Sequence, residues 1–79
     1  MKLEPELIKH LLEWGEDYLP DRTKAWSTNE ITISGFSNDQ ITFHVYLLWK
    51  NDYIDCYDAS ANNQSEYFYN HLTLNGYQY

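Results

Sequence analysis

Between Met1 and Leu19, the residues Leu7, Ile8, Leu11 and Leu12, with Tyr18 further on, recur at helical steps. That spacing lays an apolar stripe along a first helix, with Lys9, His10, Glu13, Glu16 and Asp17 on the wet side. Glu4-Pro5-Glu6 starts it. Proline is tolerated in a first turn, where its missing N–H has no partner to lose, and acids suit the positive end of the helix dipole. Leu3 is placed to staple the start, Gly15 weakens the last turn slightly, and Pro20 ends the helix. The stretch from Pro20 to Asn29 is a polar loop holding one tryptophan, Trp26. Its two roles are closing the core from above and display to a partner; closure is favoured because large aromatics bury most of their surface.

From Glu30 to Ser34 the period changes to two, with Ile31 and Ile33 alternating with Thr32 and Ser34, so a half-buried strand is expected there. Gly35-Phe36 turns the chain into a central helix. Ser37 and Gln40 have the form of a capping box, and Asp39 adds a favourable charge to the first turn. Ile41, Val45 and Leu48, with Leu47 beside them and Phe43 on the flank, give the buried stripe. Asn51-Asp52 stops the helix with turn-forming residues. Tyr53–Tyr57 and Glu66–Tyr69 read as two hairpin arms around the polar tip ASANNQS. Thr73 is placed as N-cap of a final turn containing Gly76, with Tyr77 and Tyr79 expected to pack back on the first helix.

These elements predict one domain spanning residues 1–79 and an α+β fold. The expected fold is a small winged helix-turn-helix-like domain with two main helices, a short strand, a β-hairpin wing and a C-terminal helical turn. The short extra helix common before a recognition helix has no counterpart in the pattern, so the helix-turn-helix is reduced.

Charge changes the picture more than composition does. Twelve acids oppose five bases, for a formal net charge of −7. The bases, Lys2, Lys9, Arg22, Lys24 and Lys50, form no cluster on one helix face. Binding to a phosphate backbone draws on clustered Lys and Arg, because counterion release supplies much of the affinity. Non-specific DNA affinity is therefore expected to be poor. At 79 residues the chain buries only about 60–65% of its unfolded surface. A high aromatic content of 18% partly compensates. The single cysteine, Cys56, excludes an internal disulfide, suits a reducing compartment and reads as a buried strand residue. Met1-Lys2 is followed by acids rather than a signal-peptide core, and no apolar run approaches the ~20 residues of a membrane span. A cytoplasmic location is expected.

Catalytic chemistry finds little support. His10, His44 and His71 lie on three different elements, and no CxxC, HxxxH or HExxH spacing occurs. Ser37 with a distant histidine makes no nucleophile motif, and no glycine-rich phosphate loop is present. No catalytic residue, metal site or cofactor is assigned, and the chain reads as a non-enzyme. His44, between Ile41 and Leu48, reads as a partly buried histidine bonded to backbone or to a tyrosine.

Three motifs carry a resemblance. They are Met-Lys-x-x-Pro-x-Leu-Ile at Met1–Ile8, Ile-x-x-His-x-x-Leu-Leu at Ile41, His44, Leu47 and Leu48, and Leu-Thr-x-x-Gly at Leu72, Thr73 and Gly76. Together they resemble the small winged-helix proteins grouped as domain of unknown function 2513, common in phages, prophages and other mobile elements. The resemblance covers nearly the whole chain and implies a winged helix of mobile-element origin, with no activity to carry over to particular residues. That family's last helix usually runs several residues beyond the equivalent of Tyr79, so the end here is either a natural short form or a trimmed one.

Two binding readings remain. On the DNA reading, the exposed face of the central helix, Asn38, Asp39, Thr42, Tyr46, Trp49 and Lys50, enters a major groove. Asp39 sits where phosphate would lie, and the wing carries no base. On the favoured reading the protein is an acidic module for a protein partner. Its surface is Tyr46, Trp49, Asp52, Tyr53, Asp55, Tyr57 and Asp58, aromatics rimmed by acids. A specific form of this reading is inhibition of a basic nucleic-acid-binding defence enzyme of the host, of anti-restriction or anti-CRISPR type, by carboxylates placed where phosphates would lie. DNA-binding regulation is the alternative, no membrane partner is expected, and both monomer and homodimer are compatible. Strand alternation bears on the acids, since it would separate Asp52 and Asp58 from Asp55.

Overall fold

The computed structural model describes residues 2–18, 25–61 and 64–79. The expectations for the side chain of Tyr18, the helix stop at Leu19-Pro20, Arg22 and Lys24 in the loop, and the asparagines of the hairpin tip lie outside the described residues. Helix α1 covers Pro5–Tyr18, β1 Trp26–Ser27, α2 Asn38–Lys50, β2 Ile54–Asp58, β3 Tyr67–Leu72 and α3 Leu74–Tyr77. The strands form one antiparallel sheet in the order β1-β3-β2. Both long helices contact β3, and α2 also contacts β2, so the core lies between a helical layer and one sheet face. The fold is α+β, and its element order is compatible with a winged helix. Among the described residues, no helix is long and apolar enough to cross a membrane.

Each helix follows its pattern. In α1 the buried residues Leu7, Leu11 and Leu12 form the expected stripe, while Leu3 is 52% exposed and is no staple. In α2 the capping box forms: the Gln40 N–H donates to Ser37 Oγ at 3.2 Å, and the Ser37 N–H donates to Gln40 Oε1 at 2.8 Å. Asn51 closes the helix as expected, its amide Nδ2 donating to the Leu47 carbonyl at 2.8 Å. Asp52 then turns the chain with a positive φ of 63°, a conformation aspartate tolerates better than most residues. Thr73 caps α3 by accepting from the Gly76 N–H. Tyr77 and Tyr79 nevertheless remain 55% and 65% exposed. Helix α3 does contact α1, and the Tyr79 ring packs edge-on against Tyr53.

The strand expected at 30–34 is not formed. Trp26–Ser27 takes the free edge of β3, pairing with Tyr69 and Phe68. Thr28 extends the clamp, its N–H donating to the Tyr67 carbonyl at 2.9 Å and its Oγ1 accepting from the Tyr67 N–H at 3.2 Å. A turn with the Glu30 N–H on the Ser27 carbonyl then carries the chain away from the sheet. The alternation of Ile31 and Ile33 is still read by burial: Ile31 enters the core and Ile33 packs against it. A two-residue period reports sidedness, and ladder pairing needs a free edge as well. Trp26 is half-buried and meets Trp14 edge-to-face at 5.6 Å, closing the sheet end as expected.

His44 is fully buried. Its Nδ1 donates to the Gln40 carbonyl at 2.7 Å, which leaves Nε2 as acceptor for the Glu4 N–H at 2.9 Å. One α2 side chain thus caps the start of α1, whose first N–H groups have no partner within the helix. Replacing His44 with Leu leaves the Glu4 N–H unpaired and should cost about 1–3 kcal/mol in urea unfolding, whereas His10→Leu on the exposed face should stay within about 0.5 kcal/mol.

Gly15 has a role beyond its helix propensity. A Cβ there would overlap the Tyr69 hydroxyl and Leu72 Cδ1. Gly15→Ala, which gains up to ~1 kcal/mol in an exposed helix, should here destabilise by about 1–3 kcal/mol, checked by thermal unfolding.

Cys56 is buried, and burial, then the neighbouring Asp55 and Asp58 charges, push its thiol up from 9.0 to about 12. A raised folded-state value means that the unfolded chain loses this proton first. The associated stability is full below pH 9.0 and is lost as pH rises to about 12. Thiol titration with an aromatic disulfide should be slow in the folded protein and fast in denaturant, and Cys56→Ala should lessen the onset of alkaline destabilisation.

Candidate functional site

The capping box orients the first two turns of α2, and the tight turn at Asn51-Asp52 brings the hairpin back beside them. An open groove of about 810 Å³ lies between the two. Its α2 wall carries Asn38, Asp39, Thr42, Phe43 and Tyr46, and its hairpin wall carries Ala59, Ala61, Gln64, Ser65, Glu66 and Tyr67, with Asn29 at one end. Asp39 and Glu66 supply carboxylates, and no Lys, Arg or His is among the described lining residues. Glu66 is braced by the Ser27 hydroxyl, which donates to its Oε2. Asn38 Nδ2 donates to the Thr28 carbonyl at 2.8 Å, so this side chain is held against the loop.

At the C-terminal end of α2, Tyr46, Trp49 and Tyr67 form a ring cluster. Tyr67 lies 5.7 Å from Tyr46 and 5.9 Å from Trp49 between centroids. Lys50 lays its Nζ 4.2 Å from the Trp49 centroid and 5.7 Å from that of Tyr46. A cation at that distance from an aromatic face is attracted by the ring quadrupole. Asp58 lies on the same side, paired with Tyr67 across the hairpin. The Ser60 hydroxyl, and then its N–H at 2.8 Å, hold the Asp58 carboxyl below its usual value.

The aromatic and acidic residues expected to share one partner surface occupy three places. Tyr46, Trp49 and Asp58 lie by α2 and the groove side of the hairpin. Asp55 and Tyr57 lie on the opposite sheet face, because Ile54 and Cys56 beside them point into the core. There Tyr57 stacks on Phe68 at 5.0 Å, and Asp55 is 3.5 Å from His71 Nε2 and 3.3 Å from Asn70 Nδ2. Asp52 and Tyr53 form the turn, with the Asp52 carbonyl accepting from Thr73 Oγ1 and the half-buried Tyr53 ring against Tyr79. Between the Asp55–His71 and Cys56–Tyr69 pairs the register shifts by one, and Asn70 of β3 is left without a partner in the ladder.

The face expected to read DNA also needs correction. Thr42 is only 6% exposed, so it is no projecting contact. Asn38, Asp39 and Lys50 are exposed, but Asn38 is tied to the loop and Lys50 to Trp49. Phe43, Glu66 and Tyr67 are groove residues that the sequence reading did not assign. The helical step from Asp39 to Phe43 marked one side of the wall, but nothing local marks which hairpin residues face it. Among the described residues, no group of three or more His, Cys, Asp or Glu could hold a metal ion.

No curated protein and no solved structure matches the chain. One family model matches from residue 2 to residue 79, nearly end to end. The chain belongs to that family, described as hypothetical protein (DUF2513).

Proposed function

We propose that this protein is a non-enzymatic acidic binding module for a basic protein partner, and that it engages the partner through the surface shared by α2 and the hairpin. The single observation that carries this reading is the lining of the groove: two carboxylates, several rings and amides, and no base among the described residues. Lys50, the nearest cation on α2, already lies on Trp49. Tyrosine and tryptophan beside carboxylates form good anchors for cationic side chains, and complementary charge speeds encounter. The fold in this proposal is a winged helix, with α2 in the place of a recognition helix and the β2–β3 hairpin as wing. The origin is a phage or another mobile element, on the strength of the family motifs. An acidic surface in that position suits occupation of the nucleic-acid channel of a host defence enzyme.

Two titrations test the reading. Anisotropy with mixed-sequence duplex DNA should show no appreciable binding even at low salt. Tight binding that weakens steeply with salt would restore a DNA-binding regulator. A mixed lysine- and arginine-rich peptide should shift the amide resonances of α2 and the hairpin in a salt-dependent way. Tyr46→Ala should weaken it about tenfold or more, and Tyr57→Ala on the opposite sheet face should leave it unchanged. Equal loss in both variants would overturn the placement of the surface.

A further inference from the structure

We infer that the groove between α2 and the hairpin takes an arginine side chain, carried on an extended segment of the protein partner. This rests on the reading above and specifies its chemistry.

The first observation is the donor–acceptor balance. Asp39 and Glu66 lie on facing walls, and Tyr46 and Tyr67 add ring faces at one end. Such a set accepts hydrogen bonds and attracts positive charge, and it has no cation of its own among the described lining residues. A guanidinium fits these terms better than an ammonium. It is planar, it presents five N–H donors in a fixed fork, and it stacks on aromatic faces while bonding carboxylates in its plane.

The second observation is independent of charge. Thr42 lies in the α2 wall of the groove, is 94% buried by its 6% exposure, and its Oγ1 has no hydrogen-bond partner. A helical threonine commonly bonds the carbonyl one turn back, and this one does not. A buried hydroxyl without a partner loses its hydration with nothing in return. Valine has the same shape without that loss, so the hydroxyl is out of place in a purely structural position. Rotation about χ1 exchanges its methyl and hydroxyl groups, and so offers an acceptor to a donor seated in the groove. The size of the groove, about 810 Å³, exceeds one side chain and accommodates a few residues of backbone beside it.

The test uses three short peptides of the same glycine–serine frame, carrying arginine, lysine or citrulline at the same central positions, followed by calorimetry and amide-shift mapping. The arginine peptide should shift Asp39, Thr42, Tyr46 and Glu66, and it should bind more tightly than the lysine peptide. The citrulline peptide should lose about tenfold or more, since it keeps the shape without the charge. Asp39→Asn should weaken the arginine peptide by a similar factor. Thr42→Val should weaken it several-fold while the melting temperature stays level or rises; a merely structural threonine would not separate the two readouts in this direction. Equal affinity for arginine and lysine, or binding unaffected by Asp39→Asn and Thr42→Val, overturns this inference and leaves the wider reading standing. Failure of all basic peptides at the α2–hairpin surface, or tight DNA binding, overturns both.

Discussion

Tyr69 sits in the middle of the central strand with no exposed surface, between Trp26 on β1 and Cys56 on β2. Its hydroxyl donates to the Leu11 carbonyl at 3.1 Å, and its ring packs against Trp14 at 5.6 Å. One side chain therefore ties the sheet to the first helix through both an apolar face and a polar tip. The close approach needs the bare backbone of Gly15, because any Cβ there would occupy the space of the hydroxyl. Burial pushes the Tyr69 phenol well above its ordinary value, so the neutral, donating form is the one the core accommodates. In a chain of 79 residues few contacts of this size are available, and much of the fold is referred to this one.

The second tie is His44, which joins the other helix to the start of α1. Its two ring nitrogens are used in different directions, one within α2 and one across to Glu4. With α1 fixed to β3 by Tyr69 and to α2 by His44, the orientation of α2 against the sheet is set. The tight turn after Asn51 then decides where the hairpin returns, and the groove is what remains between its tip and the first turns of α2. The candidate site is a consequence of core constraints on both its walls.

The burial pattern explains why one apparent surface in the sequence is divided in space. Tyr46, Trp49, Asp55, Tyr57 and Asp58 are close in the chain, but strand alternation sends Asp55 and Tyr57 to the far side of the sheet. The far side has its own arrangement, with Tyr57 on Phe68 and Asp55 beside His71. Asp58 follows the same alternation to the near face, where it lies at the strand end, exposed and opposite Tyr67. Lys50 illustrates the same limit for a single residue. It is a free base in the sequence, and in the fold its ammonium lies over Trp49.

The sequence alone determined whatever depends on neighbours within a turn or two: the α1 and α2 stripes, the Ser37–Gln40 box, the Thr73 cap, the two hairpin arms, though the second runs on to Leu72 rather than ending at Tyr69, and the sidedness of Ile31 and Ile33. Local hydrogen bonds and side-chain periods specify these, and both are written in consecutive residues. The family, too, was legible in the order of three short motifs. Only the tertiary structure decided that Trp26–Ser27, rather than residues 30–34, would pair with β3, because two segments compete for one strand edge. It also decided that Thr42 would be buried, that His44 would cap a helix 40 positions away, and that Glu66 and Tyr67 would face Asp39 and Tyr46. Such outcomes depend on how elements distant in the chain share a small core. No local period encodes that arrangement, since it follows from volume, edge availability and the pairing of buried polar groups together.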